Sequence, residues 1–179
     1  MRRTSVLVIA LVLAVGGCSS GGADPDSGAN ATPDPSAIRS GLASLFAGDH
    51  PGTRDNEEGA CFADKLTAVV SPERLRAAGV LDASYDVVTD LPPLPQDVAG
   101  EWADAQLACA DFVEASTRAQ VKVTHGDLDV DAYASCLRAR MTREEIRAAV
   151  AASLTGHFDA PEVSALSHAQ TTCARQAMP

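Results

Sequence analysis

The segment Ala105-Gln106-Leu107-Ala108-Cys109-Ala110 recurs as Ala169-Gln170-Thr171-Thr172-Cys173-Ala174, with Ala, Gln, Cys and Ala in register. A second match lies upstream of each. Cys61, Leu66-Thr67 and Leu75-Arg76-Ala77-Ala78 in the first half correspond to Cys136, Met141-Thr142 and Ile146-Arg147-Ala148-Ala149 in the second. The first cysteine precedes the apolar-Arg-Ala-Ala stretch by 14 positions in one copy and 10 in the other, a difference of about one helical turn. Such a chain is constrained to two diverged copies of one supersecondary unit, each burying its apolar face against itself or its twin.

Each unit reads as three helices. Apolar residues recur at spacings of three and four rather than alternating, and aromatic residues make up only 4% of the chain, so the pattern is helical rather than extended. Ser71-Pro72-Glu73 offers a capping hydroxyl and then proline at the first helical position, and Gly79 suits a left-handed stop. In the second copy Thr142 with Glu145 forms a capping box, and Gly156 ends the helix. Pro95 and Pro161 begin the third helix of each copy. Helical spacing places Val98, Trp102, Ala105, Cys109, Phe112 and Ser116 on one side of the longest segment, facing the core. Tyr133, Cys136, Leu137 and Met141 do the same for the helix opening the second copy, and Val163, Leu166, Gln170 and Cys173 for the last. A weaker helix, Ser36 to Ala47, precedes them. The expected fold is therefore all-α: two diverged three-helix units, about 57–115 and 131–177, packed as one helical domain over 37–179.

The N-terminus has a different character. Arg2 and Arg3 precede the apolar run Val6 to Val15, which has the dimensions of a secretory signal and is too short to span about 30 Å of hydrocarbon. Val15-Gly16-Gly17-Cys18 then places small residues against a cysteine. This resembles the lipobox of bacterial membrane lipoproteins. The resemblance implies cleavage after residue 17, lipidation of Cys18, and attachment to the extracytoplasmic face of the cell membrane. The abundance of Ala, Asp, Arg and Val likewise resembles small helical lipoproteins of high-GC Gram-positive bacteria. An ordinary signal peptide, cleaved near Ala14 or Gly17, would instead leave a secreted protein with an odd cysteine. Residues 18–36 carry no apolar side chain larger than alanine after Cys18 and cannot bury enough surface to offset ordering entropy. They read as a flexible tether with a typical span of about 23 Å.

With Cys18 committed to lipid, Cys61, Cys109, Cys136 and Cys173 remain, an even number in an extracytoplasmic chain, so disulfides are the expected state. Four cysteines allow three pairings, and the repeat selects Cys61 with Cys109 and Cys136 with Cys173, each joining the first helix of a unit to its third. The loops of 49 and 38 residues would each contribute about 4 kcal/mol in the chain-entropy picture. The competing possibility is a metal site gathered from four helices, although no two cysteines have C-x-x-C spacing. Redox catalysis would call for such a pair or an activated lone thiol.

No catalytic constellation is legible. His50 and His125 fall in loops, His157 follows the Gly156 stop, His168 lies in the last helix, and no two histidines are one turn apart. Asp127-Leu128-Asp129-Val130-Asp131 lacks the glycine and distant glutamate of an EF-hand, so Asp129 or Asp131 reads as a helix cap. The Asp55-Asn56-Glu57-Glu58 run reads as solvated. There is no G-x-S-x-G elbow, S-x-x-K pair or glycine-rich phosphate loop. Formal charge is −10; losing residues 1–17 removes Arg2 and Arg3 and makes it −12, which disfavours nucleic acid and anionic headgroups.

The sequence leads us to expect a lipid-anchored, non-enzymatic module without cofactor or metal, acting on an envelope protein partner or as an envelope structural element. The alternative is a protein that binds a small or apolar ligand between helical units. A cavity of several hundred cubic ångströms beside Trp102, the sole tryptophan, would favour that alternative; an exposed apolar patch would favour the first. Mass spectrometry of the membrane fraction should find Cys18 as an acylated N-terminus, and Cys18→Ser should move the chain out of that fraction. An unmodified N-terminus on the mature protein would contradict the lipoprotein expectation.

Overall fold

A computed structural model describes residues 32–179; Cys18, the lipobox and most of the tether lie outside them. The described residues form eight helices: α1 (Pro35–Ala47), α2 (Thr53–Val69), α3 (Pro72–Ala77), α4 (Gln96–Cys109), α5 (Phe112–Val123), α6 (Val130–Arg140), α7 (Arg143–Leu154) and α8 (Pro161–Ala177). The repeat maps onto α2-α3-α4 and α6-α7-α8. Disulfides join Cys61 to Cys109 and Cys136 to Cys173, with Cα separations of 5.6 and 5.5 Å. Each ties the first helix of a unit to its third, and the corresponding helices pack together, α2 on α4 and α6 on α8.

The cap residues act as their chemistry dictates. Ser71 Oγ accepts from Arg74 N, and Thr142 exchanges hydrogen bonds with Glu145. Asp129 Oδ1 accepts from Ala132 N and so caps α6. Gly79 and Gly156 end α3 and α7 with φ of +76° and +81°, a conformation that costs glycine least. Both stops press on adjacent prolines: a Cβ on Gly79 would lie 3.0 Å from Pro92, and one on Gly156 3.4 Å from Pro93. The segment between α3 and α4 thus threads between equivalent points of the two units, held by Leu94 N donating to Leu154 O at 2.7 Å. Before it, Val80–Val88 forms a small hairpin with a single bridge between Leu81 and Val87, closed by Asp82 Oδ1 accepting from Ser84 N and Asp86 N.

Three boundaries differ from the periodic pattern. The side running from Val98 to Ser116 is not one helix: α4 ends at Cys109, Ala110 is extended, and Asp111 caps α5 by accepting from Glu114 N. The first unit accordingly spans α2 to α4, residues 53–109, and α5 is a separate helix between the units. Ser36 belongs to α1 rather than the tether, because Asp34 Oδ1 accepts from Ser36 N and Ala37 N, with Pro35 at the first position.

Two apolar clusters form the core. One gathers Ile38 and Leu42 of α1, Phe62 and Leu66 of α2, Leu75, Val80, Leu94, and Val98, Trp102 and Ala105 of α4. The other gathers Leu107, Val113 of α5, Tyr133 and Leu137 of α6, Ile146 of α7, and Ala169 and Cys173 of α8. Helix α4 feeds both and also packs on α7, so it is the seam between units. At the far side, α1 lies so close to α2 that a Cβ on Gly59 would fall 2.6 Å from Ala43 O. An alanine in a free helix would gain about 1 kcal/mol over glycine. Here the sign should reverse: Gly59→Ala should lower unfolding free energy by about 1–3 kcal/mol through the displaced backbone of α1, measured by denaturant titration of the oxidised protein. An unchanged or raised midpoint would show that α1 is not seated on α2 in this way.

Candidate functional site

Where α1, α2, α4 and α5 meet, a half-open cleft of about 440 Å³ enters the molecule. Its apolar wall is Leu45 and Phe46 from the end of α1, Leu91 from the threading segment, Trp102 and Leu107 from α4, and Phe112 from the start of α5. Behind it runs an aromatic series: Phe46 stacks on Phe62 with ring centroids 4.6 Å apart, and Phe62 meets Trp102 at 4.8 Å and 59°. Stacked and tilted ring pairs at these separations add about 0.5–1.5 kcal/mol each beyond their buried area. Trp102 is thus a core residue, only 5% exposed, that also lines a cleft.

The polar lining is Asp55 and Glu58 of α2, Gln106 of α4 and Arg118 of α5. Glu58 is largely buried; its Oε1 accepts from Arg54 Nε at 2.8 Å and its Oε2 from Arg118 Nη2 at 3.1 Å. Arg54 also pairs with Glu114. Asp55 accepts from Gly52 N at 2.9 Å, and its other oxygen lies 3.9 Å from Arg118 Nη2. The Asp55–Glu58 run is therefore only partly solvated: Glu57 is exposed, whereas Glu58 is the centre of an arginine network. Arg118 Nη1 is buried and has no hydrogen-bond partner among the described residues.

Helix α5 is held on its other side by a buried polar chain: Gln170 Nε2 donates to Ser116 Oγ at 3.0 Å, and Ser116 Oγ shares a 2.8 Å hydrogen bond with Tyr133 OH. Tyr133 is fully buried. The seam beside the cleft is fixed by Arg147, which grips both carboxylate oxygens of Asp104 at 2.5 and 2.7 Å, and by Arg143 Nη2 donating to Leu107 O at 2.8 Å.

The four cysteines singled out from the sequence are disulfide-bonded in two separate places rather than gathered together. His50, His125, His157 and His168 are all exposed; His157 Nδ1 lies 2.7 Å from Thr155 Oγ1. Among the described residues no group of three or more His, Cys, Asp or Glu side chains is placed to hold a metal ion. Arg118 and the Gln170–Ser116–Tyr133 chain escaped the sequence because their partners are 17 to 60 residues away. The local signs were polar groups on core-facing sides: Ser116, Tyr133 and Gln170. A larger hollow, about 590 Å³, lies between α1 and the small hairpin. Its charged lining is acidic only, Asp49 and Asp86, and it holds no unpartnered buried polar atom.

No protein-family model, curated protein or solved structure matches the chain at the significance required.

The seam gives a pH dependence. The hydrogen bond from Arg147, reinforced by the charges of Arg147 and Arg143, holds the Asp104 carboxyl below its ordinary range. A depressed folded-state pKa contributes stability that is complete above the unfolded value, about 4, and is lost as pH falls through the folded value. The pair is half-exposed, so Asp104→Asn should cost no more than about 1 kcal/mol at pH 7. The variant should also lose stability less steeply than the wild type below pH 4. Parallel acid limbs in urea titrations of the two proteins would contradict the coupling.

Proposed function

We propose that this chain is a lipid-anchored extracytoplasmic binding protein, holding a small molecule with an apolar body in the Trp102 cleft and performing no chemistry on it. The cleft carries the proposal. About 440 Å³ falls within the range of small-molecule sites, which pair a mostly apolar wall with a few placed polar groups. Its walls come from elements that the chain fixes independently: α2 and α4 are cross-linked, α5 is tied to both units, and Leu91 lies in the segment threaded between them. A wall held this way needs little ordering on binding, and preorganisation preserves affinity. The Cys18 lipid anchor would keep the domain at the membrane surface, where molecules with apolar bodies concentrate, and the acidic surface would keep it from settling on anionic headgroups.

Because Trp102 is the sole tryptophan, it reports on the cleft alone. Titration with uncharged N-phenyl-1-naphthylamine should show saturable one-to-one binding with energy transfer from Trp102. Ala115 lines the cleft, so Ala115→Phe should fill it and weaken binding at least about tenfold, on the order of 1.4 kcal/mol, with helicity unchanged. Absence of saturable binding, or binding indifferent to Ala115→Phe, would overturn the proposal and favour a protein-interaction or envelope-structural role.

A further inference from the structure

We infer that the ligand of the Trp102 cleft is uncharged and carries a hydroxyl: its apolar body lies against Phe46, Trp102 and Phe112, and the hydroxyl oxygen accepts from the side-chain amide of Gln106. This deepens the small-molecule reading of the cleft and rests on it. The internal repeat carries the inference. Gln106 and Gln170 are equivalent, each three residues before the third-helix cysteine of its unit, and both are half-buried. In the second unit the chain supplies the partner itself, because Gln170 Nε2 donates to Ser116 Oγ at 3.0 Å. In the first unit the Gln106 amide has no partner among the described residues and lines an open cleft instead. Trp102, four residues earlier on α4, lines the same cleft, so the two side chains share one face of the helix. The amide is not sealed off: among the described residues, the buried side-chain polar atoms without a partner are Arg118 Nη1 and Thr172 Oγ1.

The other polar groups of the lining are engaged or out of reach. Glu58 accepts from Arg54 and Arg118, Asp55 accepts from Gly52 N, Arg118 Nη2 donates to Glu58, and Arg118 Nη1 is buried. Gln106 is therefore the polar side chain of the lining with no partner at all among the described residues, free to exchange water for a ligand. Its amide offers two donors and one acceptor group, and a hydroxyl can meet either kind. Charge disfavours the alternatives. A carboxylate or sulfonate would accept from Gln106 but share the cleft with Asp55 and Glu58, where like charges repel more strongly than in bulk water. An ammonium has only donors; it would leave the amide N–H groups unmatched and add a third cation to Arg54 and Arg118. A hydroxyl meets neither repulsion, and it is the group that Ser116 places on Gln170.

Three competitors of similar size separate these possibilities on the oxidised full chain, each displacing bound N-phenyl-1-naphthylamine. They are 2-naphthylmethanol, which carries the hydroxyl; 2-ethylnaphthalene, in which a methyl group replaces it; and 2-naphthoate, an anion. Gln106→Met keeps the length of the side chain and removes the amide. It should weaken the alcohol about fivefold and leave the hydrocarbon within about twofold, shifting the ratio of their dissociation constants, whereas a merely structural role for Gln106 would move both together. On the wild-type protein the naphthoate should bind more weakly than the alcohol. If Gln106→Met fails to retain wild-type helicity, Gln106→Ala takes its place with the same shift in the ratio expected. An unshifted ratio in a folded variant, naphthoate binding as tightly as the alcohol, or failure of the alcohol to compete would overturn this inference while leaving the cleft a binding site. Absence of saturable naphthylamine binding would overturn both.

Discussion

The cross-link between the first and third helix of each unit is the constraint from which the remaining geometry follows. Alanine-rich helices with few aromatic side chains bury little area per residue, and short helices are marginal without tertiary support. Joining α2 to α4 through Cys61 and Cys109, and α6 to α8 through Cys136 and Cys173, narrows the unfolded ensemble and fixes which faces meet. It also sets the cleft. Glu58 lies three residues before Cys61 and Gln106 three residues before Cys109, close to one turn on each helix, so one covalent bond holds two of the cleft's four polar residues on facing helices.

Helix α5 turns two stapled units into one structure. It belongs to neither copy of the repeat, yet it reaches both: Arg118 and Glu114 pair with residues of α2, and Ser116 joins Tyr133 of α6 and Gln170 of α8. The buried Ser116–Tyr133 hydroxyl pair, extended by Gln170, disfavours a slipped arrangement, because a shift would strand those hydroxyls away from water. The same helix supplies Phe112, Ala115 and Arg118 to the cleft. The wall of the cleft and the joining of the two units therefore depend on one element.

What was legible in the sequence was local. Ser71, Asp129, Thr142 with Glu145, Gly79 and Gly156 mark helix ends through chemistry that acts within a turn, and the repeat carried the cysteine pairing because equivalent residues occupy equivalent helices. The break between α4 and α5 was hidden because apolar spacing continues through it: Cys109, Phe112 and Ser116 keep helical intervals although Ala110 is extended and Asp111 caps a new helix. The stronger cue was Asp111 with Glu114, a capping signature outweighed by periodicity. The cleft was harder still. Trp102 and Phe112 could be placed on one buried side, but Phe46 and Leu91, which line the cleft with them, come from two other parts of the chain. Glu58 looked solvated because nothing near it in sequence announces Arg118, 60 residues on.

The pairing of the cysteines underlies both the units and the cleft, and peptide mapping of the oxidised protein under non-reducing conditions tests it directly. Proteolysis should release one peptide pair joined through Cys61 and Cys109 and another through Cys136 and Cys173. A linkage between Cys109 and Cys136, or four free thiols in protein isolated without reductant, would contradict the stapled two-unit architecture and the cleft that depends on it.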